Sequence, residues 1–285
     1  MYTRDETKRV VVGDVALGGG EPVRVESMTK TDTRDEAATL AQLERLAAAG
    51  CELARAAVPD AEAAASFGRI ARGSPLPLMA DVHFDYRLAL ACLDGGAAAI
   101  RLNPGNVRRR EQWLELGREM AARGVPARVG VNAGSLDPDA VERCGGRTAE
   151  AMAASAVEGV RRLEDAGLED VIVSAKATSP AVTVRANALI AEELPYPLHV
   201  GVTEAGLGDA GVVRSAAGLA LILAAGLGNT IRVSLTDEPE REVAVGYEIL
   251  RAPRSYPAPA AAAPRSTWPR SPAAWPRAWR ATAER

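Results

Sequence analysis

Cysteine is scarce in this 285-residue chain: only Cys51, Cys92 and Cys144 are present. They are too dispersed for a disulfide framework or a C-x-x-C metal site, and they read as core filler in a reduced, cytoplasmic protein. Histidine is scarcer still, with His83 and His199 alone. The longest apolar run, Ala216 to Leu227, falls well short of the roughly 20 residues that a membrane helix needs. The opening MYTRDETKR has no apolar stretch of the kind that marks a secretory signal. Glycine-rich phosphate motifs are missing where a nucleotide fold needs them. No G-x-G-x-x-G follows the first strand and no G-x-x-x-x-G-K-[ST] occurs, which argues against a doubly wound dinucleotide fold or a P-loop. Charge of one sign does not dominate either, since 34 Lys and Arg face 37 Asp and Glu for a net −3.

That near-balance hides two compositions. Residues 252–285 hold six Arg and one Glu, with seven of the 18 prolines and three of the four tryptophans. The other 251 residues therefore carry −8. The prolines forbid long helices and nothing alternates like a strand, so 252–285 reads as a disordered, basic Pro/Arg/Ala-rich tail. Residues 1–251 read as one domain.

Within 1–251, short β-branched and apolar runs alternate with longer Ala/Leu stretches of helical period. Strands are predicted near 23–27, 52–57, 77–82, 98–102, 126–131, 170–175, 197–202 and 229–234. Helices are predicted near 35–49, 60–72, 85–95, 108–123, 148–166, 180–193, 209–226 and 239–251. Ahead of them, within 1–22, RVVVGDVALGGG (9–20) reads as a hairpin around Gly13–Asp14. Eight strands alternating with eight helices is the arithmetic of an α/β (β/α)8 TIM-type barrel with an N-terminal β-hairpin.

In such a barrel the C-terminal strand ends face the active site. Those positions collect Arg55, Asp81, His83, Arg101, Asn103, Arg128, Asn132, Lys176, His199, Glu204, Arg232 and Ser234. Five are cations in or just after apolar strands, and unpaired buried charge costs several kcal/mol or more. Asp81 and Glu204 offset two of them, leaving a surplus near +3, which suits a substrate with several negative charges such as a diphosphate. A structural reading competes for each residue: a single Arg can pair at a layer edge, and a lone His is more often hydrogen-bonded scaffold. Asp81-x-His83 is weak evidence for a metal, so no metal site is assigned.

The strand-end segments VESMTKTDT (25–33), ADVHFDYRLAL (80–90), IRLNPGN (100–106), RVGVNAGSL (128–136), VSAKAT (173–178), HVGVTEAG (199–206) and IRVSLTDEP (231–239) together resemble one family. It is the (E)-4-hydroxy-3-methylbut-2-enyl diphosphate synthase family, IspG-type, of non-mevalonate isoprenoid biosynthesis. The resemblance runs from residue 4 to about 251. It implies an oxidoreductase that reductively converts 2-C-methyl-D-erythritol 2,4-cyclodiphosphate with two electrons from ferredoxin or flavodoxin. It further implies that Arg55, Arg101, Arg128, Lys176, Arg232 and Ser234 hold the diphosphate. Asp81, His83, Asn103, Asn132, His199 and Glu204 are implied to position the carbon skeleton and manage protons. A homodimer is implied as well, with no membrane or nucleic-acid partner.

The same resemblance implies a [4Fe-4S] cluster held by three Cys and one Glu in a C-terminal domain, the first two Cys within C-P-x-C. No cysteine follows Cys144, so the ligands are absent and 252–285 stands where that domain is expected. As written, the chain is expected to bind substrate weakly without turnover. Reading the codons of Pro257 to Trp268 displaced by one nucleotide permits C-P-S-C-G-R-T-E-V-D-L, which looks like the family's first cluster motif. A one-nucleotide displacement between about Leu250 and Tyr256 is therefore expected. Two other functions remain open from the residues: a cluster-free cyclodiphosphate-binding barrel, and a non-redox barrel of the pterin-condensing type. A basic tail that touches nucleic acid or anionic lipid is the alternative for 252–285.

Overall fold

The computed structural model describes residues 1–82, 85–107 and 109–255, the side chains of 253–255 excepted. His83 and residues 256–285 of the expected 252–285 tail lie outside the described residues, whereas 252–255 are not tail but the last turn of a helix.

A hairpin comes first. Strand β1 (Val10–Val12) pairs antiparallel with β2 (Val15–Leu17), and the turn between them carries Gly13 at φ +62°, a left-handed value that glycine adopts at no steric cost. Eight parallel strands follow: β3 (Arg24–Met28), β4 (Leu53–Val58), β5 (Leu78–Val82), β6 (Ala99–Leu102), β7 (Ala127–Asn132), β8 (Val171–Lys176), β9 (His199–Val200) and β10 (Thr230–Ile231). Their spatial order is β8-β7-β6-β5-β4-β3-β10-β9. A bridge between Val173 and Leu198 joins the two ends, so the sheet closes into a barrel. The expected fold is the observed one.

Around it run α1 (Glu36–Ala48), α2 (Ala61–Gly73), α3 (Tyr86–Gly95), α4 (Arg110–Arg123), α5 (Pro138–Arg143), α6 (Ala149–Glu164), α7 (Pro180–Glu193), α8 (Gly208–Ala224) and α9 (Pro239–Ser255). Local chemistry starts several of them. Asp35, Asp60, Asp85, Thr148 and Ser179 each accept a backbone N–H from the first turn of the helix they precede. Gly96 and Gly124 end α3 and α4 in left-handed geometry. Each helix turns an apolar stripe to the sheet; Leu43 and Leu46, Phe67 and Ile70, and Trp113 and Leu116 are fully buried.

The sequence predicts no helix at 138–143. Asp137 and Pro138 form a good helix start, but six residues are too few to show a period. The last two strands are also shorter than predicted. Beyond Val200 the backbone leaves the regular ladder and Glu204 turns it at φ +50°, a conformation that costs a non-glycine residue about 1 kcal/mol or more. Single bonds keep the loop attached, from Arg232 N to Val200 O at 3.0 Å and from Ala205 N to Ser234 O at 3.2 Å.

The interior is layered. Val10, Val12 and Leu17 of the hairpin pack against Leu53, Met79, Ala99 and Ile172, sealing the N-terminal end with an apolar plug. Strand side chains alternate, so two residues further along the same strands Arg55, Asp81, Arg101 and Ser174 point into the same interior. The step from apolar to charged within the barrel places the site. No described helix is long and apolar enough to cross a membrane.

Candidate active site

The lowest polar layer is a crossbar. Arg128 on β7 reaches Glu26 on β3, four strands away around an eight-stranded barrel and so on its far side. One guanidinium nitrogen lies 2.6 Å from Glu26 Oε1 and the other bonds Oε2. Both residues are closed to solvent. Burial works against the Glu26 carboxylate, but the Arg128 charge and hydrogen bonds win and hold its carboxyl below the ordinary range.

Beside the crossbar, Asp81 on β5 bridges two guanidiniums. Its Oδ1 lies 3.1 Å from Arg101 on β6, and its Oδ2 lies 3.3 Å from Arg55 on β4. Arg101 also donates to Gly130 O at 2.8 Å. A Cβ at Gly130 would come within 2.5 Å of Arg101 Nε, so only glycine leaves room for that guanidinium. Burial lowers the pKa of Arg101 against the pull of Asp81. The Nε–H groups of Arg55, Arg101 and Arg128 are buried and donate to no acceptor among the described residues.

Across the barrel, Lys176 at the end of β8 lies 2.7 Å from His199 Nε2 at the start of β9. His199 Nδ1 bonds Thr230 Oγ1 on β10, and Glu26 Oε1 is 3.6 Å from Nε2. Burial is the main cause holding Lys176 and His199 well below their ordinary values, and neighbouring cations add to it.

Nearer the mouth, Arg232 donates through Nε to Glu242 at 3.3 Å and lies against Met28. Glu242, on the first turn of α9, is a buried hub. It also forms an ion pair with Lys30 Nζ at 3.0 Å and accepts from Leu235 N at 3.0 Å and Ser27 Oγ at 3.3 Å. Asn132 is half-buried at the end of β7, Ser234 is half-buried three residues past β10, and Glu204 is exposed on its strained turn. Asn103 braces a loop, accepting Gly105 N at 2.9 Å and donating to Ser135 Oγ at 2.7 Å.

The predicted residues are thus brought to one end of one barrel, with His83 outside the described set. The charge reading changes in detail. Glu204 is not one of the compensating carboxylates; Glu26 and Glu242 take that part with Asp81, and Lys30 joins the cations. Six cations (Lys30, Arg55, Arg101, Arg128, Lys176, Arg232) face three buried carboxylates. Glu26, Glu242 and Lys30 carried no signal beyond an acidic or basic residue inside an apolar stretch, because each finds its partner far along the chain.

The cysteines do not suit an iron–sulfur cluster. Burial pushes the thiols of Cys51 and Cys92 up to about 12, and Cys51 bonds Leu53 O at 3.0 Å. Among the described residues no group of three or more His, Cys, Asp or Glu is placed to hold a metal ion.

A closed parallel barrel with a cation-rich layer under its C-terminal mouth defines a (β/α)8 barrel with a basic site. Comparison with known proteins narrows the class. Residues 7–247 match the GcpE TIM-barrel domain, and the chain belongs to that family. It is 50% identical over 247 residues to the 4-hydroxy-3-methylbut-2-en-1-yl diphosphate synthase (flavodoxin) of Geobacter sulfurreducens, covering 87% of this chain and 70% of that protein. It is 48% identical over 252 residues to the protein of the same name from Symbiobacterium thermophilum, covering 88% and 68%. Among solved structures, dihydropteroate synthase from Xanthomonas albilineans superposes with TM-score 0.60 at 19% identity, over 87% of this chain and 99% of that one. That likeness is one of fold alone.

Proposed function

We propose that the barrel binds 2-C-methyl-D-erythritol 2,4-cyclodiphosphate for its two-electron reductive opening to 4-hydroxy-3-methylbut-2-enyl diphosphate, in cytoplasmic isoprenoid biosynthesis. The observation that carries this reading is the layer of six cations against three carboxylates, in a chain whose relatives bear the synthase name. Arg55, Arg101, Lys176 and Arg232, with Ser234, hold the diphosphate, and the Nε–H groups of Arg55 and Arg101, which meet no acceptor among the described residues, are further donors toward it. Arg128, locked to Glu26, contributes as a fixed charge in the floor. Asp81, Asn103, Asn132, His199 and Glu204, together with His83, position the carbon skeleton. As the ring opens, negative charge gathers on the departing diphosphate oxygen, and cations already in place stabilise it without reorganisation.

Flavodoxin would supply the electrons, and the family's iron–sulfur cluster, for which the described residues offer no ligand set, would supply the redox chemistry; the working unit would be a homodimer. Residues 1–251 are the substrate-binding domain, and 252–285 stand where the family carries its cluster domain.

Calorimetric titration of the chain with the cyclodiphosphate tests the reading. One-to-one binding that weakens with added salt is expected. Binding of a pteridine diphosphate in preference to the cyclodiphosphate would move the barrel to the pterin-condensing type.

A further inference from the structure

Lys176 and His199 occupy neighbouring strands with their side-chain nitrogens in direct contact, Nζ to Nε2 at 2.7 Å. Toward the Lys176 ammonium, which has donors only, His199 Nε2 accepts. The ring is then neutral, with its proton on Nδ1 toward Thr230 Oγ1. The pair therefore holds at least one proton fewer than its two bases can carry. The charged groups around it come from every side of the barrel: Arg55 on β4, Arg128 on β7, Arg232 after β10, and Glu26 on β3. Three of these four are cations, and the single carboxylate is already engaged by Arg128. An additional proton on His199 faces that surplus as long as no anion shares the layer.

We propose that the Lys176–His199 pair takes up a proton when a diphosphate enters, with His199 as the group protonated. The step rests on the diphosphate reading given above. The ligand draws the Lys176 ammonium toward its own oxygens, which frees the Nε2 lone pair. Its negative charge cancels the cations that kept the imidazole neutral. The new Nε2–H then faces Glu26 Oε1, 3.6 Å away in the structure. Glu26 thereby serves a second purpose, as counter-ion to a histidine charged only in the bound state. Binding becomes linked to pH: where a whole proton is taken up, Kd rises by about tenfold for each pH unit of increase. The cyclic diphosphate has only strongly acidic hydroxyls, already ionised near neutrality, so an uptake measured there belongs to the protein.

The test is calorimetric titration of the full chain with the cyclodiphosphate near pH 7.5, repeated in buffers of low and high ionisation heat. The slope of observed heat against buffer heat counts protons. The wild-type chain is expected to take up close to one proton and His199→Gln almost none. A wild-type slope of zero with clear binding overturns the proposal, as does an undiminished slope in His199→Gln. Should that variant fail to fold, the ring-nitrogen NMR signals of the wild-type chain decide. With two histidines in the sequence they are easily assigned, and His199 is expected to pass from the Nδ1–H tautomer to imidazolium on ligand addition. A ring that stays neutral overturns the proposal. A flat isotherm in every buffer is a different failure, since it overturns the diphosphate reading itself and the proton linkage with it.

Discussion

Arg128 spans the inside of the barrel to Glu26, 102 residues earlier in the sequence, and neither side chain has any exposure to solvent. A buried pair of this kind is held by its geometry, and removing one partner strands the other charge. Arg128→Met or Glu26→Leu alone is expected to cost about 3–5 kcal/mol of stability. The double substitution is expected to cost clearly less than the sum of the two. Urea unfolding of the four proteins checks this, and additive losses would show that the crossbar is not one unit.

Lys176 is costly to the fold in proportion to its use. Burial and the cations of the layer keep its pKa well below the usual lysine range. The unfolded chain, titrating near 10.4, therefore binds more protons than the folded one through the window below that value. Stability is lost there as pH falls and regained as pH rises toward the unfolded value. Lys176→Met is expected to raise Tm by about 2–4 °C near neutral pH, from a gain of roughly 1 kcal/mol. The advantage should shrink toward about pH 10, and cyclodiphosphate affinity should fall. Thermal melts at several pH values check it. A lower Tm, or a gain that grows with pH, would contradict it.

Thiol reactivity separates the three cysteines. Cys51 and Cys92 are buried, with pKa pushed up to about 12, whereas Cys144 is half-buried in the turn after α5. A thiolate-specific reagent near pH 8 is expected to label one equivalent, at Cys144, in the folded protein and three after denaturation. Rapid labelling of Cys51 or Cys92 in the native state would mean that the core is not closed as described.

Much of this was legible in the sequence, for identifiable reasons. Short apolar runs and helical period mark the eight barrel strands and eight of the helices, because buried strands and surface helices write their burial into the chain. The hairpin is visible through Gly13–Asp14. Helix α5 is too short to show a period. The ends of the last two strands depend on the Glu204 turn, which nothing local dictates. The cation set could be read from charged residues in apolar strands. Of its counter-ions only Asp81 could: Glu26 looks like any strand residue until β7 brings Arg128 to it. Glu242 sits in an amphipathic helix whose polar face conceals one inward carboxylate. Asn103 was legible as a site position, but its two bonds within the β6–α4 and β7–α5 loops appear only in three dimensions.

The displaced reading of the codons for Pro257 to Trp268 is open to a direct check. Sequencing the coding DNA from the codon of Ile249 onward is expected to reveal one base gained or lost and to restore C-P-S-C-G-R-T in an open frame. A frame that stands as given removes this account of residues 252–285.

The affinity of Arg101→Ala for the cyclodiphosphate, beside that of the wild-type chain, tests the central claim most directly. Arg101 sits between Asp81 and Gly130 in the cation layer, and a charged hydrogen bond lost to the ligand is worth at least about 1.5 kcal/mol. A loss of about tenfold or more, with the fold retained by circular dichroism, is the predicted result. Equal affinities in the two proteins would contradict the assignment of this layer as the diphosphate site.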